Sequence, residues 1–236
     1  MFENFESKYN IKYILKDSVL ISYPKSGRTW LRMIMAKIAH LKGFDVTKEE
    51  FMPALHYDVD KVKNIFGDDL KIVFLHRDIA DVLSSYYAEK STSTRSGSLY
   101  TGKVNEFIKD KNHGVDAAIH YNKKWLELAK NNKNIKVVSY EQLKKDAFSS
   151  VSDIMRFLGF ECTTEEISEA VEYSRFENMS KIEKGLGDNL LENYKGNFGK
   201  SVGRVRRGIV GGHKKDFSDE DISYIASRKK ALKYDV

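Results

Sequence analysis

The sequence predicts an α/β fold in which a parallel β-sheet is covered by helices on both faces. Three short apolar segments, at residues 19–21, 71–77 and 134–141, are typical of buried strands. Helical patterns follow these segments along the chain, and strands that alternate with helices favour a parallel sheet. Ligands bind beyond the carboxyl ends of the strands in such folds. The residues that follow each strand are therefore the candidates for a functional site.

The composition fits one domain that spans residues 1–236. Hydrophobic residues make up 41% of the chain, which is enough for a sizeable core. No apolar segment approaches the roughly 20 residues that cross a membrane. The amino terminus lacks the basic and then apolar pattern of a secretory signal, and the lone Cys162 excludes an internal disulfide or a cysteine-based metal cluster. We therefore expect a cytoplasmic protein without membrane association.

The charge balance indicates an anionic partner. The net charge is +6 and the pI is near 9.1, which favours a nucleotide, a nucleic acid or a lipid surface. Basic residues are interspersed with acidic ones rather than massed in one block, and no nucleic-acid recognition motif is present. We therefore expect a nucleotide and no nucleic acid.

The strongest candidate site links the first strand to the first helix and reads SYPKSGRTW at residues 22–30. Pro24 ends the strand because it has no N–H to donate, and Gly27 permits a tight turn. Free N–H groups at the start of the helix, together with Lys25 and Arg28, would attract a phosphate. A solvated basic turn is the alternative. A Walker A loop is excluded, because the lysine here precedes the single glycine.

Two later segments also combine a chain turn with positive charge. Arg77 ends the second strand, where a guanidinium can bind two phosphate oxygens at once, and an ion pair with Asp78 or Asp81 is the alternative. Residues 204–214 read RVRRGIVGGHK, in which cations adjoin a glycine that lets the backbone approach a ligand. A solvated basic loop is the alternative there.

These segments resemble the motifs of sulfotransferases that use 3′-phosphoadenosine 5′-phosphosulfate (PAPS). YPKSGRTWL differs from that family's usual phosphosulfate-binding loop, YPKSGTTWL, only at Arg28. HRDIADVLSSYY resembles the segment that holds the 3′-phosphate. RRGIVGGHK resembles the RKGxxGDWK signature, with Gly212 and His213 replacing its Asp and Trp. The resemblance spans most of the chain and implies a P-loop-like three-layer fold.

The resemblance also implies the nucleotide-binding residues, with PAPS as the donor, its desulfated form PAP as the product, and no metal. The first loop would hold the 5′-phosphate and the two later segments the 3′-phosphate. Tyr140 in YEQLK and Phe176 in YSRFENM would contact the adenine, opposite Trp30. The full set is Lys25, Ser26, Gly27, Arg28, Thr29, Trp30, Arg77, Ser85, Tyr140, Phe176, Arg206, Arg207 and Gly208.

His56 is the predicted catalytic base. Pro53 argues against a helix interior, so His56 is expected in a loop or at a strand end, and an ordinary surface or core histidine is the alternative. The resemblance implies that His56 removes the acceptor's proton while Lys25 donates to the bridging oxygen of the departing 5′-phosphate. The family often carries a lysine two residues before this histidine. That position is Ala54 here, so its charge is absent or comes from elsewhere.

The acceptor is predicted to be a small molecule, polar or of natural-product type, with a reactive hydroxyl or amine. Residues 91–102 are rich in Ser, Thr and Gly and favour a mobile lid, with a plain disordered loop as the alternative. The resemblance implies that this region lies over the acceptor. The candidate acceptor-binding residues are Tyr57, Tyr86, Arg95, Tyr100 and Tyr121.

Two other functions stay open. One is a nucleotide kinase-like phosphotransferase, for which neither a Walker-type loop nor a Mg²⁺-binding carboxylate is evident. The other is a non-catalytic binder of nucleotides or polyanions, which Ala54 and the altered Gly212 and His213 keep open. Asp219 and Ser223 break the C-terminal dimer motif of the cytosolic enzymes. We therefore expect a monomer, or a dimer that does not use that motif.

Overall fold

The computed structural model describes residues 12–66, 69–92, 99–186, 190 and 205–236. The strands are β1 (Lys12–Tyr13), β2 (Ser18–Ser22), β3 (Glu49–Glu50), β4 (Ala54–Leu55), β5 (Lys71–His76) and β6 (Ile135–Ser139). The helices are α1 (Arg28–Leu41), α2 (Val59–Phe66), α3 (Ile79–Thr92), α4 (Val104–Lys109), α5 (Val115–Lys130), α6 (Tyr140–Lys145), α7 (Ala147–Leu158), α8 (Thr164–Tyr173), α9 (Phe176–Glu183) and α10 (Asp219–Ala231). A short 3₁₀ helix, Gly212–Lys215, precedes α10.

The central sheet is parallel, as the sequence predicts. Its strand order is β4-β2-β5-β6, and a separate pair is formed by β1 and β3. Val73 of β5 lies in register with Leu20 of β2 and with Lys136 of β6. Because every neighbouring pair in the sheet is parallel, the carboxyl ends of all four strands meet at one edge.

Helices cover both faces of this sheet, and successive side chains of β2 pack on opposite faces. Leu20 belongs to a buried cluster with Ile34 of α1 and Ile154 of α7. Val19 and Ile21 belong to the cluster on the opposite face, which contains Trp125 of α5. This alternation has the two-residue period of a strand, and it explains why β2 is apolar on both sides. Trp125 is fully buried and stacks on Phe74, as expected of a core residue.

Several helix ends carry residue types that local sequence rules favour as caps. Thr163 and Glu166 form a capping box at the start of α8, and Gly159 ends α7 with φ 74°. Ser218 accepts a hydrogen bond from the Asp221 N–H at the start of α10. Helix α3 continues to Thr92, so the first two residues of the predicted lid are helical.

Half of the predicted lid and most of a second segment, residues 184–203, lie outside the described residues. For the lid these are residues 93–98. Residues 184–203 hold five glycines and many polar residues, a composition that predicts a second flexible segment, and residues 187–189 and 191–203 of it lie outside the described part of the chain. Within the part of the chain that the structure does describe, we find no helix with the length and apolar character that crossing a membrane requires.

Candidate active site

A cleft of about 410 Å³ opens where the four parallel strands end. Lys25, His56, Arg77 and Tyr140 follow β2, β4, β5 and β6 respectively, and all four line this cleft. The predicted site residues in its lining are Lys25, Gly27, Arg28, Thr29, Trp30, His56, Arg77, Ser85, Tyr140, Phe176, Arg206, Arg207 and Gly208. Segments that are distant in the sequence thus meet in one cavity.

The loop between β2 and α1 has a strained backbone. Gly27 has φ 96° and Lys25 has φ 68°, both in the left-handed region that a side chain disfavours. A β-carbon at Gly27 would lie 2.4 Å from Cδ2 of Tyr140. Glycine is therefore required both for the turn and for the close approach of the loop to the tyrosine ring.

Some buried polar atoms of the site lack a partner. The Ser26 hydroxyl is fully buried next to the start of α1 and has no hydrogen-bond partner among the described residues, and Ser26 is the one predicted nucleotide-binding residue that is not in the lining of the described cleft. Ser174 Oγ and Arg77 Nε are also buried atoms without a hydrogen-bond partner among the described residues, and both residues line the cleft. Buried polar groups are normally hydrogen-bonded, so unsatisfied ones in a cavity fit a polar ligand. Donors of this kind, next to the first turn of a helix, suit phosphate oxygens.

His56 presents one ring nitrogen to the protein. Its Nδ1 lies 2.7 Å from the carbonyl oxygen of Ser22. Because a carbonyl can only accept, we assign the proton to Nδ1, which leaves Nε2 as an acceptor. His56 is an exposed residue whose ring faces the cleft, and the surrounding protein still desolvates it. Desolvation, and then the positive charge of Arg28, lower its pKa. A neutral imidazole is the form that a general base requires.

Lys25 forms an ion pair with a residue that the sequence analysis did not select. Its Nζ lies 2.9 Å from Oε2 of Glu89, near the end of α3, and each side chain is only 11% exposed. Both residues line the cleft beside His56. The pair places one positive and one negative charge next to the candidate base.

Arg28 extends toward the end of β4 and thus toward His56. Its Nη1 donates a hydrogen bond of 2.9 Å to the carbonyl oxygen of Ala54. The guanidinium is also close enough to lower the pKa of His56. The one residue that departs from the usual loop sequence therefore brings a cation to the strand that ends in Ala54.

Arg77 is held from several sides at the tip of β5. Its Nη2 donates to the carbonyl oxygen of Ile209 at 3.0 Å and lies 3.4 Å from Oδ2 of Asp81. Its guanidinium carbon lies 4.2 Å from the centroid of the Tyr140 ring. The alternative ion pair with Asp81 is therefore present, and the arginine still lines the cleft.

Arg206 and Arg207 converge on Asp216. Arg206 Nη2 lies 2.9 Å from the Asp216 carboxylate, and Arg207 makes two contacts to it, at 2.9 and 2.8 Å. Ser84 donates to the same carboxylate and accepts from Arg206. Burial favours the neutral acid, but the bonds from Arg207, Ser84 and Arg206 outweigh it and lower the pKa of Asp216. The carboxylate thus gathers two cations at one wall of the cleft.

The segment after Gly208 is fastened to α3 by Asp81. The N–H of Gly211 and the N–H and Nδ1 of His213 lie 2.8, 3.0 and 2.8 Å from the Asp81 carboxylate. Asp81 is buried, which favours its neutral form, yet these hydrogen bonds and the Arg77 charge lower its pKa. His213 therefore has a defined structural role in place of the family's usual tryptophan.

Among the described residues, Asp78, Asp81 and His213 form a group whose spacing could hold a metal ion. Each Asp81 oxygen already accepts hydrogen bonds from the chain, and Lys229 Nζ lies 3.6 Å from Asp78. These contacts make the cluster a clamp between α3 and the basic loop.

Aromatic rings form the remaining walls. Trp30 and Tyr140 pack edge to face, with centroids 5.7 Å apart. Gly208 has φ 62°, and a β-carbon there would lie 2.3 Å from the ring of Phe176. The glycine of the basic loop therefore allows the backbone to pack directly against Phe176. Both Trp30 and Phe176 line the cleft, as an adenine site requires.

The candidate acceptor residues do not meet in the cleft as the nucleotide-binding candidates do. Tyr86 and Tyr100 both pack against Phe107, and the Tyr121 hydroxyl donates to the carbonyl oxygen of Tyr57. None of these four tyrosines is in the lining of the described cleft. Arg95 lies outside the described residues. The acceptor assignments therefore stay predictions.

The sequence analysis missed three charged or polar participants. They are Glu89, Asp216 and Ser84. Glu89 lies four residues after Ser85 on α3, and this spacing puts both residues on one helix face. The four-residue spacing from Ser85 was therefore a sequence signal that could have identified Glu89. The contacts of Asp216 and Ser84 depend on the path of the loop before α10 and carry no local sequence signal.

Comparison with known proteins agrees with this geometry. Residues 54–231 match the family model of the sulfotransferase domain. The rabbit (Oryctolagus cuniculus) amine sulfotransferase is 27% identical over 83% of this chain and 73% of its own length. The guinea pig (Cavia porcellus) 3-beta-hydroxysteroid sulfotransferase is 27% identical over 88% of this chain and 80% of its own length. The crystal structure of mouse sulfotransferase SULT7A1 with PAP superposes with a TM-score of 0.69 at 19% identity, covering 99% of this chain and 89% of that one.

The fold and the site thus define a P-loop-like α/β transferase. The family match covers most of the chain, and the chain belongs to the sulfotransferase family. The family that the sequence resembles and the predicted fold class are both confirmed. The protein is an enzyme that transfers a sulfuryl group to a small acceptor.

Proposed function

We propose that this enzyme takes the sulfuryl group from PAPS and releases PAP, with His56 as base. The observation that carries the proposal is the neighbourhood of His56. A neutral histidine, fixed through Nδ1 by the Ser22 carbonyl, lies in the same cleft as Lys25 and two separate groups of phosphate-binding candidates. A nucleotide with phosphates at both ends of its ribose would engage both groups.

The 5′ end of the nucleotide belongs at the loop between β2 and α1. The unsatisfied Ser26 hydroxyl and the N–H groups at the start of α1 would bind the 5′-phosphate, with Gly27, Arg28 and Thr29 completing the loop. Lys25 would leave Glu89 to donate to the bridging oxygen. A preorganised donor to a developing charge is typically worth about 2.7–4 kcal/mol of barrier.

The 3′ end belongs at the opposite wall. Arg77, Ser85, Arg206, Arg207 and Gly208 would hold the 3′-phosphate. The Asp216 carboxylate already shows that an anion can receive Arg206 and Arg207 together. Guanidinium groups bind phosphate oxygens in the same two-pronged way as carboxylates. Tyr140, Trp30 and Phe176 would contact the adenine between these ends.

The transfer step is an in-line displacement. His56 Nε2 takes the proton of the acceptor hydroxyl or amine as that atom bonds to sulfur. Lys25 stabilises the electron pair that leaves with the 5′-phosphate when the bridging S–O bond breaks. We further propose that Arg28 supplies the positive charge that the absent lysine at position 54 would give, because its guanidinium is hydrogen-bonded to Ala54 beside His56.

We propose that the acceptor is a small molecule, polar or of natural-product type, that carries a reactive hydroxyl or amine. The printed names of relatives include an amine, a 3-beta-hydroxysteroid and a flavonol sulfotransferase, so sequence similarity does not select one acceptor type. A cytoplasmic location, the absence of a metal and a monomer, or a dimer without the family's motif, remain predictions.

A screen with ³⁵S-labelled PAPS against phenols, alcohols and amines tests the proposal. We expect label transfer to at least one class and thermal stabilisation by PAP. Stabilisation by ATP and Mg²⁺ alone would favour the kinase-like alternative. Stabilisation by PAP without label transfer across the whole panel would favour the non-catalytic binder.

A further inference from the structure

Glu141 links the ends of the two strands that precede Arg77 and Tyr140. One carboxylate oxygen, Oε1, accepts a hydrogen bond of 2.9 Å from the N–H of Asp78, the residue after Arg77. The other oxygen, Oε2, accepts a hydrogen bond of 3.0 Å from the hydroxyl of Ser139, the residue before Tyr140. The carboxylate therefore bridges the tip of β5 and the tip of β6.

The bridge lies where the strand ladder ends. His76 of β5 and Ser139 of β6 are the last residues of these two strands in register. The ladder therefore does not extend to Arg77 and Tyr140, which follow that pair. Ser139 also accepts a hydrogen bond from the N–H of Gln142 and caps α6, which fixes its end of the bridge. A side-chain link thus connects the two chain segments beyond the ladder.

The two residues at these strand tips are in direct contact. The Arg77 guanidinium carbon lies 4.2 Å from the centroid of the Tyr140 ring, and the arginine side chain is only 12% exposed. Planar guanidinium groups stack on aromatic rings, which orients their N–H groups. Arg77 lines the cleft, and its buried Nε has no hydrogen-bond partner among the described residues. An oriented guanidinium with a donor to spare suits a phosphate.

The Tyr140 ring is also held by the first loop and by α1. A β-carbon at Gly27 would lie 2.4 Å from the ring, and Trp30 packs against it edge to face. These contacts fix the ring independently of Glu141. The bridge therefore acts mainly on the other side of the contact, where it holds the chain that carries Arg77.

We propose that Glu141 is a positioning residue for Arg77, and that it strengthens the preference for a nucleotide that carries a 3′-phosphate. Glu141 is not in the lining of the described cleft, so it acts through the arginine. By joining the strand tips it keeps the guanidinium on the Tyr140 ring before the ligand arrives, and preorganised groups lose less entropy on binding. This inference rests on the proposed function, in which Arg77 binds the 3′-phosphate.

A simpler role for Glu141 is to stabilise the fold. The two roles differ in what they predict for nucleotides. A loss of general stability weakens the binding of PAP and 5′-AMP alike. A loss of Arg77 positioning weakens PAP and spares 5′-AMP, because only PAP carries the 3′-phosphate.

Calorimetry with PAP and 5′-AMP separates these roles. We expect the wild type to bind PAP about 100-fold more tightly than 5′-AMP. Glu141→Ala removes both acceptors, and it should lower that ratio to about tenfold while 5′-AMP affinity stays within about threefold. Glu141→Gln keeps an acceptor for the Asp78 N–H, so it should retain the wild-type ratio within about threefold.

A further variant and two controls complete the test. Glu141→Asp shortens the bridge and should give a ratio between those of Glu141→Ala and the wild type. Thr163→Ala removes the N-cap of α8, outside the described cleft lining, and should lower the melting temperature without changing the ratio. In an Arg77→Ala background, Glu141→Ala should change the ratio by less than about twofold, because both changes act through one side chain.

An unchanged ratio in folded Glu141→Ala and Glu141→Asp would overturn the inference. An equal loss of both nucleotides would also overturn it and would assign Glu141 to the stability of the fold. The same holds for an undiminished effect of Glu141→Ala in the Arg77→Ala background. Failure of the proposed function is distinct, because the wild type itself would then bind PAP no more tightly than 5′-AMP.

Discussion

Arg28 and Ala54 are joined by a hydrogen bond of 2.9 Å from the arginine Nη1 to the alanine carbonyl oxygen. These are two positions where the chain departs from the usual motifs of its family, the threonine of the loop and the lysine before the histidine. One change adds a cation and the other removes one. Their contact suggests that the positive charge near His56 has moved from one strand end to the neighbouring loop.

An exchange experiment tests this relationship. Arg28→Thr should lower kcat by about 100-fold, the usual cost of losing one donor to a developing charge, with a smaller effect on PAP affinity. Adding Ala54→Lys to that variant should recover part of the loss. If the double variant is as slow as Arg28→Thr, or slower, the two positions do not share one function. Steady-state kinetics with labelled PAPS provide the measurement.

Replacement of His56 should separate catalysis from binding. His56→Ala should abolish turnover and leave PAP affinity largely intact, because the ring is assigned to the acceptor's proton rather than to the nucleotide. Calorimetry with PAP and an end-point transfer assay measure the two properties. Undiminished transfer in this variant would remove the histidine from the mechanism.

The lowered pKa of His56 also predicts a stability change with pH. The histidine resists protonation in the folded protein but protonates near its ordinary value of 6.5 once unfolded. Its contribution to stability is therefore present above pH 6.5 and is lost as the pH falls toward the folded value. Access from the cleft limits this contribution to at most about 1 kcal/mol. Urea unfolding at pH 7.5 and 5.0 should show a smaller loss for His56→Gln than for the wild type.

Gly27 and Gly43 provide a matched pair for the strained loop. Both have positive φ, 96° and 82°, but only Gly27 faces another side chain, Tyr140. Gly43→Ala should lower the free energy of unfolding by about 1 kcal/mol, because only the left-handed backbone conformation opposes the new side chain. Gly27→Ala should lower the free energy of unfolding by clearly more than Gly43→Ala does, and it should also abolish PAP binding. Similar thermal shifts and retained PAP binding in both variants would contradict the role assigned to the contact with Tyr140.

Asp216 should affect the free enzyme and the nucleotide complex differently. Asp216→Asn leaves Arg206 and Arg207 without their carboxylate, so the free protein should lose about 1–3 kcal/mol of stability. A 3′-phosphate replaces that lost anion, so the thermal shift produced by PAP should be larger than in the wild type. A smaller PAP shift would mean that Asp216 mainly orients the arginines for the phosphate.

The fold and the residues that line the cleft at the strand ends could be predicted because their signals are local. Residues 19–21 and 71–77 are apolar strands that end in basic turns, and the resemblance of HRDIADVLSSYY to a family motif selected Arg77 and Ser85. Capping residues such as Thr163 and Gly159 are equally local, and they mark the helix ends that the structure has.

The features that could not be predicted depend on long-range packing. Glu89 meets Lys25 across 64 positions of sequence, and Asp216 meets Ser84 across 132. The side chain of Arg28 could have faced a phosphate or the strand, and only the tertiary structure shows it bonded to Ala54. The acceptor tyrosines were chosen by residue type, and residue type does not determine whether a ring reaches the cleft.

The central claim is that two groups of cations, at neighbouring strand ends, bind the two phosphate-bearing ends of one adenosine. Calorimetric comparison of PAP with 5′-AMP tests it most directly, because the two ligands differ only in the 3′-phosphate. We predict that PAP binds about 100-fold more tightly, as two charge-assisted contacts to one phosphate allow. Equal affinity for the two nucleotides would contradict the account.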